Sequence, residues 1–158
     1  MQISRPKHLE KIVKTGNIIL PILAIGAVFA NKACDTGCTY LYGNLFGVDL
    51  NSLGIALAIT ILFLSLPVSS FSAYHRITDH LRPNLLSGSL GGGVVLLHFQ
   101  LVNSVFCPFC ILYGTLIFIL FAFNFHKSNG VAGVTAFLGG LLIFAFFFEG
   151  SAVPVFRF

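Results

Sequence analysis

Charged residues are scarce in this chain of 158 residues, in which nine Lys or Arg and five Asp or Glu make up 9% of the sequence. Soluble domains carry roughly 25%. Hydrophobic residues account for 56%, so too few polar side chains are present to cover a water-facing surface. These proportions exclude a soluble globular protein, a disordered chain, a collagen and a coiled coil. Nine thinly spread basic residues also form no continuous phosphate-binding stripe, so we expect no nucleic acid partner.

Long apolar stretches are abundant instead, which favours a protein of the lipid membrane. A bilayer core of about 30 Å needs about 20 apolar residues per helix, with about 17 to 25 acceptable. Five stretches meet this requirement, approximately residues 12–30, 53–71, 85–104, 108–125 and 131–148. Their apolar positions are continuous rather than alternating, which excludes a barrel of membrane strands. The sequence therefore predicts an all-α integral membrane protein, a five-span bundle forming one domain over residues 1–158.

The few charges predict the orientation, because Lys and Arg accumulate in short cytoplasmic loops. Seven of the nine basic residues fall on one side of the predicted spans: Arg5, Lys7, Lys11, Lys14, Arg76, Arg82 and Lys127. The other side receives Lys32, Arg157, Asp35, Asp49 and Glu149. We therefore expect a multi-pass membrane protein. Since no eukaryotic retention signal closes the chain, we expect a bacterial or archaeal plasma (inner) membrane. Its N-terminus is predicted to be cytoplasmic and its loop of residues 31–52 extracytoplasmic.

Three segments have more than one interpretation. The first apolar run is either a retained span or a signal peptide with a cleavage site after Ala30. A second loop is expected to be solvated and to set the topology, with proton supply as its alternative role; its polar residues are His75, Arg76, Asp79, His80 and Arg82. The glycines at positions 88, 91, 92 and 93 predict close packing between helices.

The four cysteines form two pairs, and the orientation places both on the outer side. Cys34 and Cys38 lie in the loop of residues 31–52, while Cys107 and Cys110 lie where span three ends and span four begins. The orientation was inferred from Lys and Arg alone, so the placement of the cysteines is an independent result. An oxidising compartment is where disulfide chemistry persists.

The CPFC segment has the features of a reactive pair at a helix start. Residues three apart on a helix face the same way, and Pro108 suits the first helical position. The exposed N–H groups of a first turn favour a thiolate, which lowers the pKa of Cys107 from about 8.5. Each pair has a structural alternative, a static disulfide that clips the turn or stiffens the loop. Two pairs on one side favour a relay by thiol–disulfide exchange.

Electrons reaching Cys107 and Cys110 need a final acceptor, and an apolar acceptor would dissolve in the membrane. Polar side chains at membrane depth are candidates for its site. Four side chains can donate hydrogen bonds to the carbonyl oxygens of a quinone: Asn51, His98, Gln100 and Tyr113. Gln100, Asn103, Ser104 and Cys107 follow the spacing of one helical face. The alternative for these residues is hydrogen bonding between helices.

Two segments resemble the vitamin K epoxide reductase (VKOR) family. The run CTYLYGNLFGVDLNSLGIAL, residues 38–57, is similar to the family's loop into its second span, and CPFC, residues 107–110, is similar to its active-site CxxC. The resemblance covers about residues 10–150. It implies a helical bundle around a quinone, with Cys110 nearest the ring, Cys107 exchanging with Cys38, and Cys34 meeting an outside thiol protein. Asn51 resembles the family asparagine that hydrogen-bonds a quinone oxygen.

The chain also departs from the family pattern. Cys34 and Cys38 are closer together in sequence than in other members, and the tyrosine of human-type members lies one residue further from CxxC than Tyr113. The fifth span is a bacterial feature. Many bacterial members carry a fused thioredoxin-like domain, which this sequence lacks, so we expect a separate thioredoxin-fold partner on the extracytoplasmic side.

These observations predict a membrane thiol oxidase that forms disulfides and reduces a quinone of the ubiquinone, menaquinone or vitamin K type. A soft-metal transporter of the mercuric-ion kind is the alternative, since thiolates select soft ions. Against it stand the absence of a cysteine on the cytoplasmic side and the single Met. A non-catalytic assembly subunit with two structural disulfides is a third hypothesis.

Overall fold

A computed structural model describes residues 7–33, 41–66, 72–105, 107–125 and 130–152. It contains five helices, α1 (Lys7–Ala33), α2 (Leu50–Ser65), α3 (Ser72–Val102), α4 (Pro108–Asn124) and α5 (Gly130–Phe147), and three strands, β1 (Leu41–Leu45), β2 (Val48–Asp49) and β3 (Phe148–Ala152). Three helices, α1, α3 and α5, are long and apolar enough to cross a membrane, whereas α2 and α4 are shorter apolar helices. The described chain is thus mostly helical, as predicted, and it also holds a small three-stranded sheet that the sequence did not predict.

Two sets of helices make the main contacts. Helix α1 packs against α2 and α4, and α3 packs against α5. A buried cluster of Ile61, Leu86, Ile117 and Leu120 joins α2, α3 and α4. In a second cluster, Ala24 of α1 meets Ala58 of α2. Small side chains at this second contact let the two helix backbones approach closely.

Glycine brings α3 and α5 together, as the sequence predicted. A Cβ atom added at Gly140 would collide with the carbonyl oxygen of Gly88, and one at Gly91 would collide with the carbonyl oxygen of Phe137. The hydroxyl of Ser87 also donates across this contact to the carbonyl oxygen of Gly133, at 2.7 Å. Gly93 has open space instead, so the interface uses only part of the glycine run.

The expected second loop is part of a helix, which corrects the prediction for this segment. Helix α3 begins at Ser72, before the predicted start of the span. The same helix therefore contains the polar residues assigned to the loop, which are His75, Arg76, Asp79, His80 and Arg82. Charged residues ended the apolar run on which that start was based, yet charge alone does not end a helix. The sequence signal for a membrane span is therefore shorter than the helix that contains it.

Arg82 is buried rather than solvated, with 8% of its surface exposed. Its guanidinium donates to Oδ1 of Asn124 at 2.6 Å and to the Ser65 hydroxyl at 3.4 Å. Asn124 in turn donates to Oδ1 of Asn17, at 2.8 Å. These bonds provide the partners that a charge removed from water requires, and they connect α1, α2, α3 and α4 near the C-terminal end of α4.

The sheet lies at the opposite end of α2, in the order β2-β1-β3. Phe46 and Gly47 close the hairpin between β1 and β2 with positive φ angles of 54° and 76°, as a type I′ turn requires. Asp49 then caps α2, its carboxylate accepting the backbone N–H of Ser52 at 3.4 Å. The loop predicted over residues 31–52 therefore contains strands, and α2 starts at Leu50 rather than at residue 53.

The C-terminal strand β3 was not foreseen either, because its first residue, Phe148, was assigned to the fifth span. It pairs antiparallel with β1 over five residue pairs, from Leu41 with Ala152 to Leu45 with Phe148. Helices α4 and α5 match the predicted spans to within one residue at each end. Strand β3 consequently follows α5 without a connecting loop.

Candidate redox site

Cys107 and Cys110 lie at the start of α4, as the CPFC pattern predicted. Cys107 is the residue just before the helix, and Pro108 takes the first helical position, where its missing N–H leaves no intrahelical bond unmade. The backbone N–H of Cys110 donates to the Cys107 sulfur at 3.3 Å. Both are free thiols; Cys107 is buried and Cys110 is half-buried. The sulfur of Cys107 thus acts as the side-chain cap of α4.

Hydrogen bonds hold the pKa of Cys107 below that of an ordinary thiol. The largest contribution is the hydrogen bond from the Cys110 side chain, and backbone hydrogen bonds from Cys110 and Phe109 add to it. Burial opposes them, since it disfavours the charged form. The hydrogen bonds prevail, which favours a thiolate at Cys107.

The turn between α3 and α4 is organised by Gln100. Its backbone carbonyl accepts the N–H of Val105 at 3.0 Å, and the N–H of Ser104 donates to the carbonyl of Leu101, which together form the hydrogen-bond pattern of a Schellman motif. Ser104 has a φ of 53° at the position where glycine is usual. The Gln100 side chain, only 2% exposed, accepts the N–H of Cys107 through Oε1 at 3.1 Å.

The predicted helical face of polar residues was wrong in its geometry. Helix α3 ends at Val102, so Asn103, Ser104 and Cys107 do not continue the face of Gln100. Asn103 donates back to the carbonyl of Phe99 at 2.8 Å. Gln100 nevertheless meets Cys107, because the turn brings the chain back over the helix end. The Gln100 side chain contacts the backbone of Cys107 and so positions this cysteine. The spacing of the residues alone did not reveal this contact.

Tyr113 connects α4 to α2. Its hydroxyl donates to the backbone carbonyl of Gly54 at 2.9 Å. Tyr113 follows Cys110 by about one turn and Gly54 follows Asn51 by about one turn, and both helices start at this end of the bundle. Cys110 and half-buried Asn51 therefore occupy corresponding positions near the starts of α4 and α2. A backbone acceptor such as Gly54 leaves no signal in the sequence.

Three further residues were predicted for the site: His98, Cys34 and Cys38. His98 is exposed on α3, whereas Gln100, two residues later, is buried. Cys34 and Cys38 lie outside the described residues. Within the described ranges, no group of three or more His, Cys, Asp or Glu side chains is placed to hold a metal ion.

Comparison with known proteins gives no relative. No family model matches the chain, and neither a curated protein nor a solved structure matches it. The resemblance to the vitamin K epoxide reductase family therefore depends on the quoted residues alone.

Proposed function

We propose that the protein is a membrane thiol oxidase of the vitamin K epoxide reductase type, which forms disulfides and passes the electrons to a quinone. The observation that carries this proposal is the Cys107–Cys110 pair at the start of α4. The Cys107 sulfur caps the helix and its pKa is lowered, and a thiolate is the species that carries out disulfide exchange. A purely structural disulfide would have no use for a stabilised thiolate.

The membrane setting is a five-span bundle. The three long helices meet the length requirement directly. Helix α4, with 17 residues, is at the lower limit of about 17, and α2 is one residue shorter. In this arrangement the N-terminus is cytoplasmic, and the starts of α2 and α4, with the sheet, face the outside of the plasma membrane.

The reaction proceeds in balanced two-electron steps. A reduced thioredoxin-fold protein transfers two electrons to the Cys34–Cys38 disulfide, and the resulting loop dithiol reduces the Cys107–Cys110 disulfide. The Cys107–Cys110 dithiol then re-forms its disulfide as its two electrons and two protons convert a quinone to a quinol. Each exchange begins with thiolate attack on a disulfide sulfur.

The predicted quinone contacts fit this scheme to different degrees. Asn51 occupies the position on α2 that corresponds to Cys110 on α4, and its amide is the proposed donor to a quinone oxygen. The Tyr113 hydroxyl already donates to Gly54 and the Oε1 atom of Gln100 already accepts from Cys107. In this proposal Tyr113 therefore forms a wall of the quinone site, Gln100 positions Cys107, and His98 on its exposed face contacts lipid.

The test is quinone reduction by the purified protein in lipid vesicles, with a reduced thioredoxin-fold protein as donor and a short-chain ubiquinone as acceptor. We expect the quinone absorbance to fall with the wild type and to stay constant with Cys110→Ala. Thr115→Val is the matched control, because Thr115 is exposed on the same helix and donates only to its own helix, at the Ile111 carbonyl. It should retain full activity.

Two results would overturn the proposal. One is a wild-type protein that reduces no quinone, and the other is equal reduction by Cys110→Ala. Mercuric ion that protects all four cysteines from thiol labelling, together with the absence of quinone reduction, would favour the soft-metal transporter instead.

A further inference from the structure

Gln100 joins the end of α3 to the start of α4 through both its backbone and its side chain. Its backbone carbonyl accepts the N–H of Val105 and so closes α3. Its side chain is 2% exposed, and the Oε1 atom accepts the N–H of Cys107 at 3.1 Å. One residue therefore fixes the turn on both sides, and its side-chain bond reaches the cysteine pair.

The bond from the Cys107 N–H to Gln100 is one that α4 itself does not replace. Cys107 is the residue before the first helical position, and N–H groups at a helix start have no acceptor within their own helix. Cys107 is also buried, so water has little access to this N–H, and a buried donor without an acceptor is unfavourable. Gln100 thus holds the Cys107 backbone at the extended angles of a helix cap, φ −97° and ψ 106°.

This backbone conformation decides what surrounds the Cys107 sulfur. A side chain can cap a helix only when the backbone of the cap residue is not helical. In this conformation the sulfur accepts the N–H of Cys110 at 3.3 Å, and hydrogen bonds lower the pKa of Cys107 to about 6. If the Cys107 backbone moved, its sulfur would lose these donors and its pKa would rise.

The same donors affect how strongly oxidising the Cys107–Cys110 disulfide is. Its reduction takes up two electrons and one proton when the product holds a Cys107 thiolate and a Cys110 thiol. Stabilising this product raises the reduction potential of the pair. The Gln100 bond is made to a backbone N–H and not to sulfur, so it can form in both redox states. It changes the potential through the conformation that it gives to Cys107.

We propose that Gln100 is a positioning residue that raises the reduction potential of the Cys107–Cys110 disulfide by holding Cys107 in the cap position of α4. This inference rests on the proposed function, in which the pair is alternately reduced and oxidised. Electrons move toward the couple of higher potential, so a raised potential helps the pair to accept electrons from other thiols. Gln100 acts through the Cys107 backbone and takes no part in making or breaking bonds.

The test uses a parent chain with Cys34→Ala and Cys38→Ala, in which Cys107 and Cys110 are the only cysteines. The purified protein in detergent is brought to equilibrium with mixtures of reduced and oxidised glutathione. Two glutathione thiols become one glutathione disulfide, and their two electrons reduce the protein disulfide. One of their protons goes to Cys110 and the other to solvent. Alkylation and a gel shift then give the reduced fraction.

Gln100→Leu removes the acceptor oxygen at nearly constant size. At about pH 7.5 we expect its equilibrium constant for reduction by glutathione to lie at least tenfold below that of the parent chain, a potential lower by about 30 mV. Asn103→Leu is the matched control, because Asn103 is exposed in the same turn and its side chain donates to the Phe99 carbonyl. It should leave the equilibrium constant unchanged.

The pH dependence separates positioning from a general loss of structure. At about pH 5, below the Cys107 pKa of about 6, reduced Cys107 is protonated in the parent and the variant alike, so a stabilised thiolate contributes nothing. The difference between Gln100→Leu and the parent should therefore vanish there and grow as the pH rises. If Gln100→Leu does not accumulate, Gln100→Met replaces it, because its sulfur is only a weak acceptor.

Equal equilibrium constants for Gln100→Leu and the parent at the higher pH would overturn the inference. So would a difference that persists at the lower pH, or an equal fall in Asn103→Leu. The glutathione equilibrium requires neither a quinone nor a protein partner. A wild type that reduces no quinone, with a pair whose potential depends on Gln100 as expected, would therefore defeat the proposed function and leave the role of Gln100 intact.

Discussion

The sulfur of Cys107 accepts hydrogen bonds from two parts of Cys110, the backbone N–H and the thiol. The thiol is the larger cause of the lowered pKa. A negative sulfur at this position also meets the partial positive charge of a helix start. The chemistry of one cysteine is therefore set by its neighbour one turn later.

Removing the Cys110 thiol should raise the pKa of Cys107. In a chain whose only cysteine is Cys107, with Cys110 replaced by Ala, the pH at which alkylation by iodoacetamide is half-maximal should move upward. Alkylation follows the thiolate, which forms as the pH rises through the pKa. Near neutral pH the alkylation rate should therefore fall by up to about tenfold for each pH unit by which this midpoint rises.

The matched variant is Cys110→Ser in the same background, because a serine hydroxyl still donates a hydrogen bond. Its alkylation profile should lie at lower pH than that of Cys110→Ala. Coincident profiles for the two variants would show that the Cys110 side chain does not stabilise the Cys107 thiolate.

Ser104 gives a second prediction at this scale, because its φ of 53° is unfavourable for a residue with a Cβ atom. Ser104→Gly should raise the free energy of unfolding by about 0.5–1 kcal/mol, since glycine is the usual residue at this position of a Schellman motif. Ser104→Val should lower it. Thermal unfolding in detergent measures both changes in stability. An unchanged unfolding midpoint in Ser104→Gly would show that the backbone at Ser104 is not strained.

At the scale of the elements, apolar length predicted which segments are helices but not where every helix ends. Helix α4 was placed to within one residue because Pro108 and Cys107 mark its start chemically. The start of α3 was misplaced because its first turns carry the polar and charged residues that ended the apolar run. Strand β3 was missed because a ladder with β1 is a long-range contact that local sequence does not encode.

The α3–α5 interface is an element whose packing makes a sharp prediction. Gly139 and Gly140 are adjacent on α5, yet a Cβ atom has open space at Gly139 and meets the α3 backbone at Gly140. Gly140→Ala should lower the free energy of unfolding by about 1–3 kcal/mol through overpacking. Gly139→Ala should leave it within about 0.5 kcal/mol. Equal thermal midpoints for the two variants in detergent would contradict the close approach.

At the scale of the whole molecule, the buried cluster of Arg82, Asn124, Asn17 and Ser65 and the redox pair occupy opposite ends of the bundle. Helix α4 separates them, with Cys107 before its first residue and Asn124 as its last. Seventeen residues at about 1.5 Å each span about 25 Å, close to the thickness of a bilayer core. The sequence placed Arg82 in a loop on the side of the membrane opposite the cysteine pairs. Arg82 is buried within a helix instead, but it does lie at the end of the bundle opposite Cys107 and Cys110, as the distribution of Lys and Arg predicted.

This separation makes the orientation testable with two residues of equal exposure. Phe46, at the hairpin turn, is 63% exposed and Phe125, after α4, is 62% exposed. In a cysteine-free chain, a membrane-impermeant maleimide added to intact cells should label Phe46→Cys. It should label Phe125→Cys only after the membrane is permeabilised, because the distribution of Lys and Arg predicts that this end is cytoplasmic.

The labelling of these two variants also tests the proposed oxidase chemistry, because both cysteine pairs are predicted to lie at the same end of the bundle as Phe46. Labelling of Phe125→Cys alone in intact cells would place the pairs in the reducing cytoplasm, where persistent disulfides are rare, and would remove the basis for an oxidase. Equal labelling of both variants in intact cells would show that the chain has no fixed orientation. The decisive result is that Phe125→Cys stays unlabelled in intact cells. That result requires the charges, the length of α4 and the position of CPFC to agree on one orientation.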